Sequence, residues 1–265
     1  MLIALTRSVP PAIDKCELTH LAREPIDYAR AVAQHDLYEA ALASLGCLVK
    51  RLPDLPGHPD SVFVEDTAVV FDDVAVMARP GAASRRGESA TVEAALAPYR
   101  RLAFIAAPGT LDGGDVLVTS GRVFVGISGR TNEDGARQLA AILAPYGIET
   151  IRVRVTGCLH LKSAVTLARL RHGYGGQADM LLINPRWIDG DVFKDFALIE
   201  VDTSEPAAAN VLRIGDRVIC AGEHPRTRAR LDAAGLTTLA IDAGELAKAE
   251  GGLTCGSLVF HSANS

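Results

Sequence analysis

One cysteine near the C-terminus has a sequence setting that could support nucleophilic chemistry. Cys255 lies between the glycine pair at 251–252 and an apolar run at 258–260 that is typical of a buried strand. Glycines beside the cysteine allow a tight turn and let another molecule approach the sulfur. A lone cysteine is nevertheless more often a buried structural thiol. A catalytic Cys255 therefore requires a base, a group that orients this base, and residues that bind a substrate.

Acidic residues interrupt apolar stretches at two places. Glu65 and Asp66 are adjacent, and Asp112 and Asp115 flank a Gly-Gly pair. If the first segment is a strand, Glu65 and Asp66 point to opposite faces, so at least one is buried and needs a cationic partner. The second segment is equally typical of a hairpin turn, because Asp-Gly favours such turns.

A histidine supplies the base that Cys255 would need. His160 alternates with Leu159 and Leu161, a setting that is also typical of a buried structural histidine. If three residues act together, Cys255 is the nucleophile, His160 the base and Asp112 the acid that orients the histidine. This chain order differs from that of papain-like enzymes, in which the cysteine comes first.

The remaining charged candidates indicate a ligand with a cation at one end and a carboxylate at the other. Asp60, Glu65 and Asp66 would attract a cation. Arg85 and Arg130 follow two predicted strands, and although arginines commonly form surface ion pairs, these two could bind a carboxylate. A small molecule with a guanidinium at one end and an amino acid at the other would satisfy both sets.

Several segments of the chain repeat a common plan: an apolar strand, a turn that carries arginine, a helical stretch, and a glycine before another strand. The copies that open at 2–6 and 180–184 are weaker than the other three. The predicted strands that open the copies cover residues 2–6, 74–79, 122–127, 180–184 and 217–221. Five such units could close into a ring around a central axis, and an ordinary α/β layer fold explains the same pattern.

Helical periodicity predicts helices over 26–45 and 133–146. In the first helix the expected buried face consists of Ala29, Val32, Ala33, Leu37, Ala40, Ala41 and Leu45. In the second it consists of Ala136, Leu139, Ala140 and Leu143. Residues 10–25 have little regular pattern and are too long for a tight turn, so we expect a lid there.

Composition limits the classes of function. The 265 residues suit one large or two small domains, and we expect a single domain over residues 1–265. A net charge of −5 argues against nucleic acid as the main partner, and no apolar run approaches the ~20 residues that span a bilayer. The N-terminus lacks the pattern of a signal peptide, and five widely spaced cysteines do not suggest a disulfide framework. We therefore expect a cytoplasmic protein without a metal site.

The motifs resemble those of the dimethylarginine dimethylaminohydrolase family, in the guanidine-modifying superfamily with arginine deiminase and the amidinotransferases. The resemblance rests on the segments 60–66 (Asp-Ser-Val-Phe-Val-Glu-Asp), 79–86, 111–117 (Leu-Asp-Gly-Gly-Asp-Val-Leu), 126–132, 159–163 (Leu-His-Leu-Lys-Ser) and 253–255 (Leu-Thr-Cys). It runs nearly end to end, in order. It implies an α/β fold, a five-bladed α/β propeller of pseudo-fivefold repeated ββαβ units, with the active site in the central channel.

The resemblance also implies residue roles. Cys255 matches the nucleophile, His160 the general acid/base and Asp112 its carboxylate partner. Some relatives carry a second cysteine after the nucleophile; this chain has Gly256, so regulation through a neighbouring thiol is in doubt. The implied substrate-binding residues are Glu65 and Asp66 for the guanidinium, Asp60 for the α-amine, Arg85 and Arg130 for the carboxylate, and Leu18 through its main chain.

The implied reaction is hydrolysis of Nω-methylated arginine, either asymmetric dimethylarginine or monomethylarginine, to citrulline and di- or monomethylamine. It proceeds through a covalent S-alkylthiouronium intermediate and needs no cofactor. The partner is then a small guanidino molecule rather than nucleic acid or membrane, and a homodimer is left open. The alternatives are an arginine deiminase or another guanidino hydrolase, and a non-catalytic propeller that binds a partner; amidinotransferase chains are typically longer.

Overall fold

The computed structural model describes residues 1–170 and 179–262, and the elements below belong to these ranges. The strands are β1 Leu2–Arg7, β2 Leu48–Leu52, β3 Ala68–Val70, β4 Val74–Met77, β5 Arg101–Phe104, β6 Val116–Val118, β7 Arg122–Ile127, β8 Glu149–Arg154, β9 Val165–Arg169, β10 Met180–Ile183, β11 Ala197–Glu200, β12 Leu212–Ile214, β13 Arg217–Ala221, β14 Thr237–Ile241 and β15 Leu258–His261. The α-helices are α1 Tyr28–Ser44, α2 Ser89–Leu96, α3 Glu133–Leu143, α4 Leu161–Ala164, α5 Pro225–Ala233 and α6 Gly244–Ala247.

The strands form five three-stranded sheets that share one topology. Their orders are β15-β1-β2, β3-β4-β5, β6-β7-β8, β9-β10-β11 and β12-β13-β14. In each sheet the first strand is antiparallel to the middle strand, and the third is parallel to it. A parallel pair needs a crossover, and α1, α2, α3 and α5 supply it in four units. In the fourth unit the crossover between β10 and β11 holds a 3-10 turn, Gly190–Phe193.

Apolar clusters join each sheet to the next and close the ring. One cluster packs β3–β4 residues against β6–β7 and α3, and others join the third sheet to the fourth and the fourth to the fifth. Two more clusters join the sheet of β1 to its neighbours on both sides. Because the C-terminal strand β15 pairs with β1, the first and last segments of the chain share one sheet. The predicted ring of five ββαβ units is confirmed.

The predicted buried face is largely correct for α3 and wrong for α1. In α3 the side chains of Ala136, Leu139 and Leu143 are buried, as expected. In α1 the predicted face is wrong: Leu37 is 57% exposed, and the buried side is largely polar. The buried residues of α1 are Ala31, Gln34, His35, Tyr38, Glu39, Ala41 and Leu42. Hydrogen-bond partners rather than apolar spacing therefore determine how α1 packs.

The first strand of each sheet faces the axis of the ring. These inner strands, β3, β6, β9, β12 and β15, line a common cavity of about 760 Å³. At the end of this cavity lie Glu65, Lys162 and Thr254. Among the described residues, no helix has the length and apolar character to cross a membrane.

Candidate active site

The candidate residues lie just before the inner strands of different units. Asp66 precedes β3, Asp112 precedes β6, His160 precedes β9, and Cys255 precedes β15. In the fifth unit Asn210 stands at the same place before β12. Because equivalent positions of a ring meet around its axis, the fold brings these residues from distant parts of the chain to one end of the central channel.

The segment around Glu65 and Asp66 differs from the predicted strand. It is a 3-10 turn, Val64–Thr67, so the two side chains do not simply alternate between two faces. Both are buried, at 7% and 2% exposure. The segment after Asp112 is also a short 3-10 turn, Gly113–Asp115, rather than a hairpin, and it leads directly into β6.

His160 lies between two carboxylates. Its Nε2 atom is 3.0 Å from Asp112 Oδ2, and its Nδ1 atom is 3.8 Å from Asp66 Oδ1. Asp112 is held in turn by the Gly81 N–H, which donates to Oδ1 at 2.9 Å. A side chain at position 114 would have its Cβ 2.6 Å from His160 Nδ1, so glycine is required where the two segments meet.

These contacts shift the pKa values of His160 and Asp66 in opposite directions. Burial opposes the charged form of His160, but the carboxylates of Asp66, Asp112 and Asp115 outweigh it and raise the pKa of His160 to about 9. Burial likewise opposes the charged form of Asp66, yet His160 and Arg85 lower the pKa of Asp66 to about 2. At neutral pH the pair is therefore an imidazolium beside a carboxylate.

Cys255 is 7% exposed, and its Sγ atom accepts a hydrogen bond from the Gly252 N–H at 3.3 Å. Burial and the nearby carboxylates of Glu65 and Asp66 raise the pKa of the Cys255 thiol well above its usual range. The thiol is thus protonated at neutral pH in the protein without a ligand. A positively charged ligand beside these carboxylates would lower the pKa of the Cys255 thiol and favour the thiolate.

The loop that carries Cys255 is fixed by α1. Tyr38 donates its hydroxyl hydrogen to Leu253 O at 2.9 Å, and its hydroxyl is 2.6 Å from Ser257 Oγ. A Cβ at position 256 would lie 3.0 Å from the Tyr38 ring. Gly256 therefore lets the tyrosine pack directly against the backbone next to the nucleophile candidate.

The glycines before Cys255 have a different use from the one expected. A Cβ at position 251 would lie 2.2 Å from the Phe63 ring, and one at position 252 would lie 2.3 Å from the Asn210 side chain. These positions are therefore approached closely by the protein itself. The structure corrects the expectation that they mainly open a path to the sulfur.

Three further polar residues connect Glu65 to the cysteine loop. Lys162 Nζ donates to Glu65 Oε1 at 2.5 Å, and the Thr254 hydroxyl donates to Glu65 Oε2 at 2.6 Å. Asn210 Oδ1 accepts from Thr254 N, and its amide donates to Lys162 O. No role was predicted from the sequence for Lys162, Asn210 or Thr254. The repeat pattern offers a signal for Asn210, because this residue stands just before the inner strand of its unit, where the other units carry their candidate site residues.

Asp115 is a buried carboxylate for which no role was predicted from the sequence. Its Oδ1 atom accepts from Leu161 N at 2.9 Å and its Oδ2 atom from the Ser128 hydroxyl at 2.6 Å. Ser128 Oγ accepts in turn from the N–H groups of Arg130 and Thr131. Burial raises the pKa of Asp115 to about 6. Asp115 thus ties the histidine segment to the turn that carries Arg130.

The predicted lid lies over this site. Asp60 accepts from Glu17 N at 3.1 and 3.2 Å, and Arg130 donates to the Thr19 hydroxyl at 3.2 Å. Leu18 packs against the apolar cluster that contains Cys255. Burial raises the pKa of Asp60, against the opposing effect of the nearby arginines. Asp60, Leu18 and Arg130 are therefore brought together beneath or within the lid.

Arg85, which was expected to bind a carboxylate together with Arg130, is buried rather than on the surface. It is fully engaged by protein acceptors: its guanidinium donates to Asp66 Oδ2 at 2.6 Å, to Glu88 Oε2 at 2.8 Å and to Phe63 O at 3.1 Å. Its exposure is 4%. To bind the carboxylate of a ligand, Arg85 would have to exchange at least one of these acceptors.

Two groups of described residues have atoms arranged to hold a metal ion. In the first, one ligand atom each from Asp66, Asp112 and His160 lies within 4.8 Å of the others. The Arg85 guanidinium already places a positive charge against Asp66, which opposes a cation there. The second group lies on α1 and consists of His35, Asp36 and Glu39. A metal-free reaction stays a prediction.

The chain is similar to proteins of one family along nearly its whole length, although no protein-family model matches it. It is 36% identical over 250 residues to N(G),N(G)-dimethylarginine dimethylaminohydrolase from Pseudomonas aeruginosa, with 94% of each chain covered. It is 37% identical over 262 residues to the protein of that name from Streptomyces coelicolor, covering 95% of this chain and 94% of the other.

Solved structures agree with this relationship. A mutant of the P. aeruginosa enzyme complexed with citrulline superposes with a TM-score of 0.87 at 34% identity, covering 97% of this chain and 98% of that one. The N-terminal domain of the arginine dihydrolase ArgZ has a TM-score of 0.81 at 18% identity, covering 98% of each chain, which shows a common fold alone. By its sequence identity to two relatives across nearly all of its length, the chain belongs to the dimethylarginine dimethylaminohydrolase family.

Proposed function

We propose that this chain hydrolyses Nω-methylated arginine to citrulline and a methylamine, with Cys255 as the nucleophile. The observation that carries the proposal is the pairing of His160 with Asp112 and Asp66 beside the buried Cys255 loop, in a chain whose relatives bear the name of this activity. Such a reaction requires a protonated histidine as the acid and a thiol that ionises when the cationic substrate binds.

Substrate binding would begin with the guanidinium beside Glu65 and Asp66. Each carboxylate oxygen can accept more than one hydrogen bond, so the existing contacts with Lys162 and Arg85 leave acceptor capacity. The positive charge of the guanidinium then offsets the effect of the carboxylates on Cys255, and the thiol releases its proton to solvent. Recognition and activation of the nucleophile are thereby coupled.

In the first chemical step, a bond forms between Cys255 Sγ and the guanidinium carbon. His160, protonated at neutral pH, donates its proton to the departing nitrogen, and the carbon–nitrogen bond breaks to release the methylamine. The product on the enzyme is an S-alkylthiouronium. Asp112 keeps the imidazole oriented through its 3.0 Å contact with Nε2.

In the second step, the now neutral His160 takes a proton from water, whose oxygen attacks the same carbon. The tetrahedral intermediate collapses with cleavage of the carbon–sulfur bond. Citrulline leaves, the hydroxyl proton passes to the Cys255 sulfur, and His160 is again protonated. The cycle needs water as its single co-reactant.

The amino-acid end of the substrate would lie beneath the lid. Asp60 is buried and could accept from the α-amine, and the main chain at Leu18 lies close by. Arg130 is 9% exposed and donates to a lid hydroxyl, which a substrate carboxylate could replace as the acceptor. Arg85 would join it after giving up one of its present acceptors.

The cellular setting is a further part of the proposal. All five cysteines are free and buried, which suits a reducing compartment, and we propose the cytoplasm. A homodimer stays a prediction, and sedimentation of the purified protein would decide it.

The test is a citrulline assay with asymmetric dimethylarginine, monomethylarginine and unmethylated arginine at equal concentration. The proposal predicts that kcat/KM for a methylated substrate exceeds that for arginine. A clear preference for unmethylated arginine would instead favour the arginine deiminase alternative. Absence of citrulline from all three would favour a different guanidino compound or a binding protein without activity.

A further inference from the structure

Two carboxylates hold residues 17–21 of the lid, one through the residue before Leu18 and the other through the three residues after it. Asp60 accepts from the N–H of Glu17. Glu250 accepts from the N–H groups of the next three residues, with distances of 3.0, 2.5 and 2.6 Å at positions 19, 20 and 21. Asp60 therefore fixes the backbone before Leu18, and Glu250 fixes the backbone after it.

Glu250 has an unusual backbone for its residue type. Its φ is +58°, and among the residues that the structure describes it is the non-glycine residue with a positive φ. L-residues with a Cβ disfavour this left-handed region. A backbone outlier close to a candidate active site is a reason to look for a function of its side chain.

The local chain explains why the position is left-handed but not why it is glutamate. Glu250 N donates to Ala247 O, and Gly251 N donates to Leu246 O, both at 3.0 Å. This hydrogen-bond pair ends a helix by the Schellman motif, in which glycine usually occupies the left-handed position. Glycine would therefore serve the turn after α6 better. The carboxylate instead has partners more than two hundred residues away in sequence.

Glu250 also connects the lid to the nucleophile loop. It lies five residues before Cys255, and the preceding Ala249 is buried in the cluster that contains Val9, Ile13 and Cys255. The segment that Glu250 holds includes Leu18, which packs on this same cluster. A shift of the carboxylate would thus release the lid from the loop whose position matters for chemistry.

We propose that Glu250 is a positioning residue that holds the segment 17–21 closed over the site. The proposal rests on the proposed function for its effect on substrate, because the lid is expected to cover the amino-acid end. Its structural part, the retention of the lid, can be measured without any activity.

The test compares Glu250→Gly with wild type. Glycine keeps the left-handed turn and removes the carboxylate, so the fold is retained while the lid loses three hydrogen bonds to a charged acceptor. We expect KM for asymmetric dimethylarginine to rise about tenfold, with kcat changed less than about threefold. Glu250→Gln keeps one carbonyl acceptor and should fall between the two. Glu200→Gln, at an exposed position of β11, is the control and should match wild type.

A second readout is trypsin cleavage within the lid region, after Lys15 or Arg23. It should be faster in Glu250→Gly than in wild type, with an unchanged urea midpoint for unfolding. Equal cleavage rates and equal KM in the two proteins would overturn the proposal. A different result would separate the two proposals. If wild type makes no citrulline but Glu250→Gly is still cleaved faster, the proposed function is overturned and the contact between Glu250 and the lid is supported.

Discussion

At the scale of residues, the proposed general acid and the proposed nucleophile lie in environments that act differently on their charged forms. His160 is surrounded by three carboxylates that favour its charged form, whereas Cys255 is buried beside carboxylates that disfavour its own charge. The free protein therefore holds a proton on both groups at neutral pH. This arrangement suits a cationic substrate, because the guanidinium supplies the charge that lets the thiol ionise.

The raised pKa of His160 predicts a specific dependence of stability on pH. A histidine with a pKa of about 9 in the folded state, against about 6.5 unfolded, stabilises the fold fully below pH ~6.5 and loses this effect as pH rises through 9. Between these values the free energy of unfolding should fall by on the order of 3 kcal/mol more in wild type than in His160→Gln. Urea unfolding at a series of pH values measures this difference.

The comparison with His160→Gln removes contributions common to both proteins, such as ionisation of cysteines in the unfolded chain. A difference in unfolding free energy that stays constant from pH 6.5 to 9 would show that His160 does not titrate as described.

Several residue-level features were accessible from the sequence. His160, Asp112, Asp66 and Glu65 could be named because motif and residue chemistry pointed to them, and the fold gathers these four at one end of the channel. Asp115 was noticed beside the Gly-Gly pair but received no role, because its partners, Leu161 N and the Ser128 hydroxyl, belong to other segments of the chain.

At the scale of elements, the turns before the inner strands determine the site. The α3 helix shows how such a turn is fixed: Asn132 accepts from Gly135 N at 2.8 Å as the helix N-cap and from Thr110 N at 3.0 Å. Its amide also donates to Pro108 O at 3.0 Å. The cap of one helix thus fastens the chain that leads into Asp112.

Loss of this cap should weaken the fold. Asn132→Ala removes three hydrogen bonds, and we expect the free energy of unfolding to fall by about 2 kcal/mol. Asn132→Asp keeps both accepted bonds and should lose less than about 1 kcal/mol. Urea unfolding of the three proteins measures both effects. Equal losses in the two variants would mean that the accepted bonds contribute little.

The error in α1 has a clear physical cause. Apolar spacing placed Leu37 on the buried face, but the helix turns Tyr38 and Gln34 inward because their polar atoms find partners. Tyr38 reaches the Cys255 loop, and Gln34 bonds to Asp242 and to the N–H of Glu245. Such long-range polar contacts cannot be read from the periodicity of one helix.

At the scale of the whole molecule, the ring is closed by one sheet shared between the two ends of the described chain. Phe260 of β15 is 6% exposed, and its ring lies 5.4 Å from that of Tyr99 in an edge-to-face arrangement. Arg100 lies over the same ring at 5.7 Å. Because β15 immediately follows the cysteine loop, ring closure and placement of Cys255 are linked.

Phe260→Ala should therefore destabilise the molecule strongly. Deletion of a buried phenylalanine typically costs about 3 to 5 kcal/mol, and we expect a loss in this range by urea unfolding. Phe104 on β5 is 53% exposed and is a matched control: Phe104→Ala should cost less than about 1 kcal/mol. Similar losses in both variants would argue against a structural role for the closing strand.

The repeated plan itself could be predicted because most units show a strand, a helix and a closing glycine, although the copy that begins at 180–184 lacks the helix. The strand predicted at 122–127 is β7, and the strand predicted at 74–79 corresponds to β4, which ends two residues earlier, at Met77. Ring closure was harder to foresee from pattern alone, because pairing of β15 with β1 joins residues more than two hundred positions apart. The resemblance, rather than periodicity, decided between a ring and layers.

The central claim is that Cys255 attacks the guanidinium carbon of a methylated arginine. Its most direct test is production of citrulline and dimethylamine from asymmetric dimethylarginine by wild type and by Cys255→Ser, with urea unfolding as the check on folding. We predict equimolar products from wild type, and no citrulline above background from a folded Cys255→Ser. Citrulline production by Cys255→Ser at the wild-type rate would contradict the account.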